Sequence, residues 1–180
     1  MLKRDTVVLV VIDLQDSLMK RIAMADAVTQ ETIRLIRFAK LLELPIVWTE
    51  QYPKGLGPTV PEIARELDGV PVIEKKAFGC MVDNGFVAAL KATGRNQLLI
   101  TGVETHVCIM QTALQAAERG FDVFVVSDAV AAREEKQHRA GLERVTNSPC
   151  RLVTAEMAMF ELLEVSGTPE FKKCLALLKG

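Results

Sequence analysis

The chain has 180 residues, 49% hydrophobic and 25% charged, which fits one soluble globular domain over 1–180 and excludes a disordered chain. Its 22 Lys and Arg nearly balance its 23 Asp and Glu, for a formal net charge of −1, and only 5% of residues are aromatic. That excludes, as leading readings, the basic surface of a nucleic-acid or membrane-surface protein and the stacking platforms of a single-strand binder.

In chain order, Val7 to Ile12 is a continuous β-branched and apolar run, typical of a strand buried on both faces. It is far short of the ~20 residues that span a bilayer. It stops at Asp13 with no small-residue cleavage site behind it, so it reads as strand rather than leader. From Asp26 to Glu43, Val28, Leu35, Ile36, Ala39 and Leu42 fall at helical spacing, and Pro45 stops the helix. Ile46 to Thr49 reads as a second strand. Glu50 to Pro61 carries three prolines and two glycines and reads as a loop, with a short helix from Pro61 to Leu67. Val70 to Ile73 is a third strand and Asp83 to Thr93 a helix ending at Gly94. Gln97 to Thr101 is a fourth strand, Thr105 to Arg119 a helix, Phe121 to Val126 a fifth strand and Glu134 to Thr146 a helix. Arg151 to Val153 is a sixth strand and Ala155 to Glu164 a last helix. The tail after Gly167 reads as a surface extension or an oligomer contact.

Strands alternating with helices along the whole length predict right-handed crossovers and a mostly parallel sheet. In such sheets ligands sit beyond the carboxyl ends of the strands. The residues expected there are Asp13 and Gln15, Glu50 to Tyr52, Lys75 and Lys76, Gly102 to Cys108, and Asp128.

Asp13 is either a turn-capping carboxylate or a general base. Thr105 reads as an N-cap that puts Cys108 on the first turn of a helix. There the dipole and free N–H groups favour a thiolate and can hold an oxyanion. The competing reading of Cys108 is an inert buried thiol. At most one of Lys75 and Lys76 faces the crevice, because neighbours in an extended chain point to opposite sides. An inward lysine stabilises negative charge. Base, cation and nucleophile on one sheet edge form a moderately specific set. His106 reads as a wall or cap, since residues two apart on a helix do not face each other. His138 reads as surface and Asp128 as a structural turn. Cys80, Cys150 and Cys174 read as structural or incidental. With no CxxC spacing, the four thiols predict a reducing, cytoplasmic setting. Two histidines far apart in sequence predict no metal, and the absence of GxGxxG and P-loop motifs predicts no dinucleotide or nucleotide cofactor.

Five stretches, VLVVIDLQDSL (8–18), TEQYPKGLG (49–57), EKKAFGC (74–80), TGVETHVCIMQTALQA (101–116) and SDAVAAR (127–133), resemble the isochorismatase-like cysteine hydrolases over roughly 5–165. The 49–57 loop resembles most closely the isochorismatase domain-containing branch. The resemblance implies a three-layer α/β/α, Rossmann-like fold with a six-stranded parallel sheet. It carries the catalytic triad onto Asp13, Lys75 and Cys108, with Lys75 chosen over Lys76 by a Lys-x-x-Phe pattern ending at Phe78. Gly79 stands where the family usually has Ser. A cis peptide bond at Val103–Glu104 is implied, aiming the amides of Val107 and Cys108 at an oxyanion. The loop lacks the Asp-x-His of the metal-dependent nicotinamidases, and Cys108 is absent from true isochorismatases.

Together these predict a metal-independent hydrolase of a small amide or related C–N bond, without cofactor. Gln15, Gln51, Tyr52 and Phe78 are expected as pocket walls and Arg133 as a carboxylate partner. The expected partners are a small-molecule substrate and a second copy in a homo-oligomer, with no nucleic acid and no membrane. The competing classes are a fold-retaining scaffold and a thiol redox sensor at Cys108, for which no resolving cysteine is evident nearby in sequence.

Overall fold

The computed structural model describes residues 1–178. Its centre is β1, Val7–Ile12, in which every residue is buried. The alternating pleat sends Val7, Leu9 and Val11 to one face and Val8, Val10 and Ile12 to the other. A strand covered on both sides has no polar face to show, hence its unbroken apolar run.

Five further strands build on it: β2 Ile46–Gln51, β3 Val72–Lys75, β4 Gln97–Val103, β5 Asp122–Ala131 and β6 Arg151–Val153. They form one sheet in the order β3-β2-β1-β4-β5-β6, with every neighbouring pair parallel. The helices are α1 Asp16–Met19, α2 Ala25–Leu41, α3 Pro53–Leu56, α4 Pro61–Glu66, α5 Asn84–Ala92, α6 Met110–Glu118, α7 Glu135–Thr146, α8 Ala155–Leu163 and α9 Pro169–Leu178. Side chains of α2, α4 and α8 such as Phe38, Ile63 and Met159 close the Val7 face. Phe86, Leu90, Ala113 and Val145 from α5, α6 and α7 close the other. The result is the expected three-layer α/β/α fold. The switch in strand order falls between β1 and β4, so the crevice opens beside Asp13 and the chain after Val103.

Several elements differ from the sequence reading: α3 forms inside the expected loop of Glu50 to Pro61, β2 and β4 each end two residues later than expected, and three further differences concern β3, β5 and the tail. β3 starts and ends two residues later, with Lys75 as its last residue opposite Gln51. It is an edge strand, and Val72 is 41% exposed, so pairing rather than apolar burial sets its ends. β5 runs five residues further: after an irregularity at Ile100 to Gly102 it resumes pairing at Gly102–Val130, which puts Asp128 inside the strand. The tail folds back as α9, burying Cys174 in the α2–α8 cluster and setting Phe171 6.5 Å from Phe160 between ring centres.

Gly102 is demanded by close approach. It sits opposite Ile12 with φ of 124°, and a Cβ there would lie 2.0 Å from the Ile12 carbonyl oxygen. Gly102→Ala is expected to cost roughly 2–4 kcal/mol through forced separation of β1 and β4. A urea-unfolding midpoint unchanged from wild type would show that the two strands separate freely.

Candidate active site

Asp13 ends β1 with φ of 54°, a left-handed conformation that turns the chain out of the sheet. Non-glycine residues held there often mark functional sites. Its N–H donates to the Thr49 carbonyl at 3.1 Å, and the Thr49 hydroxyl donates to Asp13 Oδ1 at 2.7 Å. The other carboxylate oxygen accepts from Lys75 Nζ at 2.6 Å, and both side chains are fully buried. Lys75 reaches across the end of β2 from the edge strand. Its ammonium also donates to Gln51 Oε1 at 2.7 Å and to the carbonyls of Ala77 and Phe78 at 3.2 and 3.3 Å. Burial presses the lysine toward neutrality, but the adjoining Asp13 carboxylate and its hydrogen bond outweigh it, and the pKa lies above the usual lysine value.

Cys108 sits in the π-helical turn Thr105–Ile109 that precedes α6. The Val103–Glu104 peptide bond just before it is cis. The thiol is buried and faces the ion pair. Burial pushes its pKa up, and Asp13 pushes it further. Lys75 pulls the other way and does not compensate. The expected preformed thiolate is therefore absent: the helix start and the lysine are in place, but desolvation and the carboxylate overrule them. The thiol rests protonated beside the Asp13 side chain.

Other expectations are corrected at the same spot. Thr105 does not cap the turn, since its hydroxyl pairs with His138 Nδ1 at 2.9 Å, which also makes His138 a half-buried support rather than a surface residue. The Val107 N–H is spent on the Glu104 carbonyl at 3.0 Å. Gln15 and Gln51 are scaffold rather than pocket wall. Gln15 donates to the carbonyls of Gln51 and Gly57 and accepts from Gln51 N–H, while the Gln51 amide bridges Lys75 and the Lys76 carbonyl. Tyr52 and Phe78, 51% and 56% exposed, stand free at the carboxyl edge.

Sequence reasoning missed two participants, Thr49 and Cys80, and the ion pair that Glu104 makes. Thr49 fixes Asp13. Buried Glu104 accepts from Arg133 N–H at 3.0 Å and pairs with its guanidinium at 3.5 Å. That pair borders a cavity of about 220 Å³ with Ser17, Leu18, Arg21 and Ile22. Cys80 feels both Asp13 and Lys75, so it belongs to the site rather than to the incidental core. No spacing in the sequence signals it. Among the described residues, no group of three or more His, Cys, Asp or Glu side chains is placed to hold a metal ion, and no helix is long and apolar enough to cross a membrane.

Residues 7–157 match the family model for the isochorismatase domain. The chain belongs to the isochorismatase family. It is 36% identical over 177 residues to isochorismatase domain-containing protein 2A of Mus musculus, covering 96% of this chain and 82% of that one. Among solved structures, a protein titled MAR1 ribonuclease from Caenorhabditis elegans superposes with a TM-score of 0.93 at 32% identity, covering 99% of this chain and 92% of the other. The YcaC gene product of Escherichia coli, titled an octameric hydrolase of unknown specificity, superposes with a TM-score of 0.88 at 30% identity, covering 98% and 86%. The isochorismatase fold expected from the five sequence stretches is thus the fold observed.

The charges around Cys108 give the site a signed response. Iodoacetamide labelling of Cys108 against pH is expected to show a midpoint well above the ~8.5 of a free thiol. Asp13→Asn should lower that midpoint and Lys75→Met should raise it, read by peptide mass. A wild-type midpoint below 8.5, or shifts of opposite sign, would contradict this electrostatic balance.

Proposed function

We propose that this isochorismatase-family chain is a metal-independent cysteine hydrolase acting on a small amide or related C–N bond, with Asp13, Lys75 and Cys108 as its catalytic triad. The observation that carries this proposal is the buried Asp13–Lys75 ion pair at 2.6 Å facing the protonated thiol of Cys108. A protonated nucleophile needs a base at hand, and a carboxylate in a dry crevice takes the proton without competition from water.

Asp13 accepts the Cys108 proton as the sulfur attacks the substrate carbonyl. Lys75 offsets the negative charge that moves through the site. With the Val107 amide engaged, we assign the oxyanion to the Cys108 N–H. Protonated Asp13 then delivers its proton to the leaving amine, and the C–N bond breaks to leave a thioester on Cys108. Asp13 activates water for the second half, which releases the acid and restores the thiol. Tyr52 and Phe78 are assigned to the outer wall of the substrate site.

Arg21 and Arg133 border one cavity in which Glu104 supplies the single opposing charge. That surplus of one positive charge, beside the apolar walls of Leu18 and Ile22, suits an amide whose other end is a carboxylate. Four free cysteines are consistent with the cytoplasmic setting read from sequence. The octameric state named for the E. coli structure supports a homo-oligomer here.

A screen of small amides and esters tests the reaction. Cys108→Ala should abolish turnover, Asp13→Asn should lower kcat by about 10²–10⁴, and exhaustive chelation should change nothing. Turnover that survives in Cys108→Ala, or that chelation removes and a divalent ion restores, would overturn the assignment. Arg21→Gln should raise KM for carboxylate-bearing amides roughly tenfold and leave uncharged amides unaffected. An equal effect on both would remove the anionic end from the substrate.

A further inference from the structure

The proposed hydrolysis uses one thiol, yet a second is lodged against the same helical face. Cys108, in the π-helical turn, and Thr112, in the first turn of α6, are four residues apart on continuous helix, so their side chains lie on one side of it. The Thr112 hydroxyl accepts the N–H of Cys80 at 2.9 Å. Next to Cys80, Gly79 lies so close to α6 that a Cβ would meet the Gln115 amide at 2.3 Å. The chain after β3 thus lies directly on the Cys108–Thr112–Gln115 face. Cys80 and Cys108 share one buried cluster with Ile12 and Ile109, and the charges of Asp13 and Lys75 act on both thiols. Cys150 belongs to the same cluster, but its thiol donates to the Ala113 carbonyl at 3.4 Å from the β6 side, and neither Asp13 nor Lys75 acts on it. Cys174 lies in the cluster on the opposite face of the sheet.

We infer that Cys80 is the resolving thiol of Cys108, and that oxidation by a hydroperoxide links the two in a reversible disulfide that switches the nucleophile off. In the first step the Cys108 sulfur, its proton passing to Asp13, attacks the outer oxygen of the hydroperoxide. The O–O bond breaks, the departing alkoxide takes the proton back, and the products are a sulfenic acid and an alcohol. In the second step the Cys80 sulfur attacks the Cys108 sulfur. The S–O bond breaks, hydroxide leaves and combines with the Cys80 proton, and water is released. Two thiols and one hydroperoxide thereby give one disulfide, one alcohol and one water, and a dithiol reductant returns both thiols. Burial, opposed by Lys75, pushes the Cys80 thiol up to about 12, so in the reduced protein it rests protonated. Early trapping protects Cys108 from further oxidation to sulfinic and sulfonic acids, which do not revert.

The test is peptide mapping of the folded protein after hydrogen peroxide, with free thiols blocked before digestion. The expected result is a Cys80–Cys108 cross-linked peptide that dithiothreitol removes, formed equally in Cys150→Ala. In Cys80→Ala, Cys108 should instead accumulate as sulfinic and sulfonic acid, with no recovery on reduction. The inference is overturned if wild-type Cys108 overoxidises while Cys80 stays free, if the cross-link forms with Cys150, or if both thiols stay reduced in excess peroxide. None of these readouts requires an amide to be turned over. A missing disulfide therefore leaves the hydrolase reading standing, and an inactive enzyme leaves the disulfide measurable.

Discussion

A lysine ammonium and an aspartate carboxylate share the dry interior of this protein at 2.6 Å, and the rest of the site is arranged around that ion pair. Taking two charges out of water costs several kcal/mol per ion, and attraction offsets this only when the remaining hydrogen-bonding capacity is met. Here it is met. Lys75 has three further acceptors, from Gln51, Ala77 and Phe78, and Asp13 has the Thr49 hydroxyl. Each partner comes from a strand end or the chain just beyond it, so the pair forms only if β1, β2 and β3 lie side by side in one register. Thr49 and Gln51, two residues apart on β2, supply one bond to each ion. The Gln15 amide ties β1's continuation to β2 and the following loop, which keeps those ends level.

The same pair decides how the Cys108 thiol rests. A lysine alone would draw the Cys108 proton off, and a carboxylate alone would hold it on. With both present and the site desolvated, the carboxylate and burial prevail, and the thiol stays neutral. A neutral thiol alkylates slowly. In the proposed reaction it becomes a nucleophile as its proton passes to Asp13. The arrangement also explains why a second thiol fits there. Cys80 is held protonated by the same burial and the same carboxylate, so two sulfurs coexist without repulsion.

Much of this was readable in the sequence because β1 is buried on both faces, and complete burial leaves an unbroken apolar run. The strand-end rule then led directly to Asp13 and Cys108. The reading slipped where local pattern does not determine the outcome. β3 is an edge strand whose ends follow its pairing with β2, so the hydrophobic run Val70 to Ile73 misplaced it. β5 continues past Val126 because Gly102 lets β4 resume its register, a property of the partner strand. Glutamines at the crevice read as pocket walls, yet Gln15 and Gln51 are consumed by the backbone around them. Their hydrogen-bond partners lie 24 to 42 residues away and leave no local trace. Cys80 was passed over for the same reason: its neighbour in space is Thr112, on a helix far along the chain.

Asp13 and Lys75 stabilise one another, and each is a liability alone. A double-mutant cycle on unfolding free energy tests this directly, with Asp13→Asn, Lys75→Met and the two combined. Removing one partner of a buried pair should cost about 3–5 kcal/mol because the other is left charged and unpaired. The double variant should then cost clearly less than the sum of the two single changes. Costs that add would mean that the two charges do not interact across the crevice, and the account of both the fold's carboxyl edge and the resting thiol would fail with them.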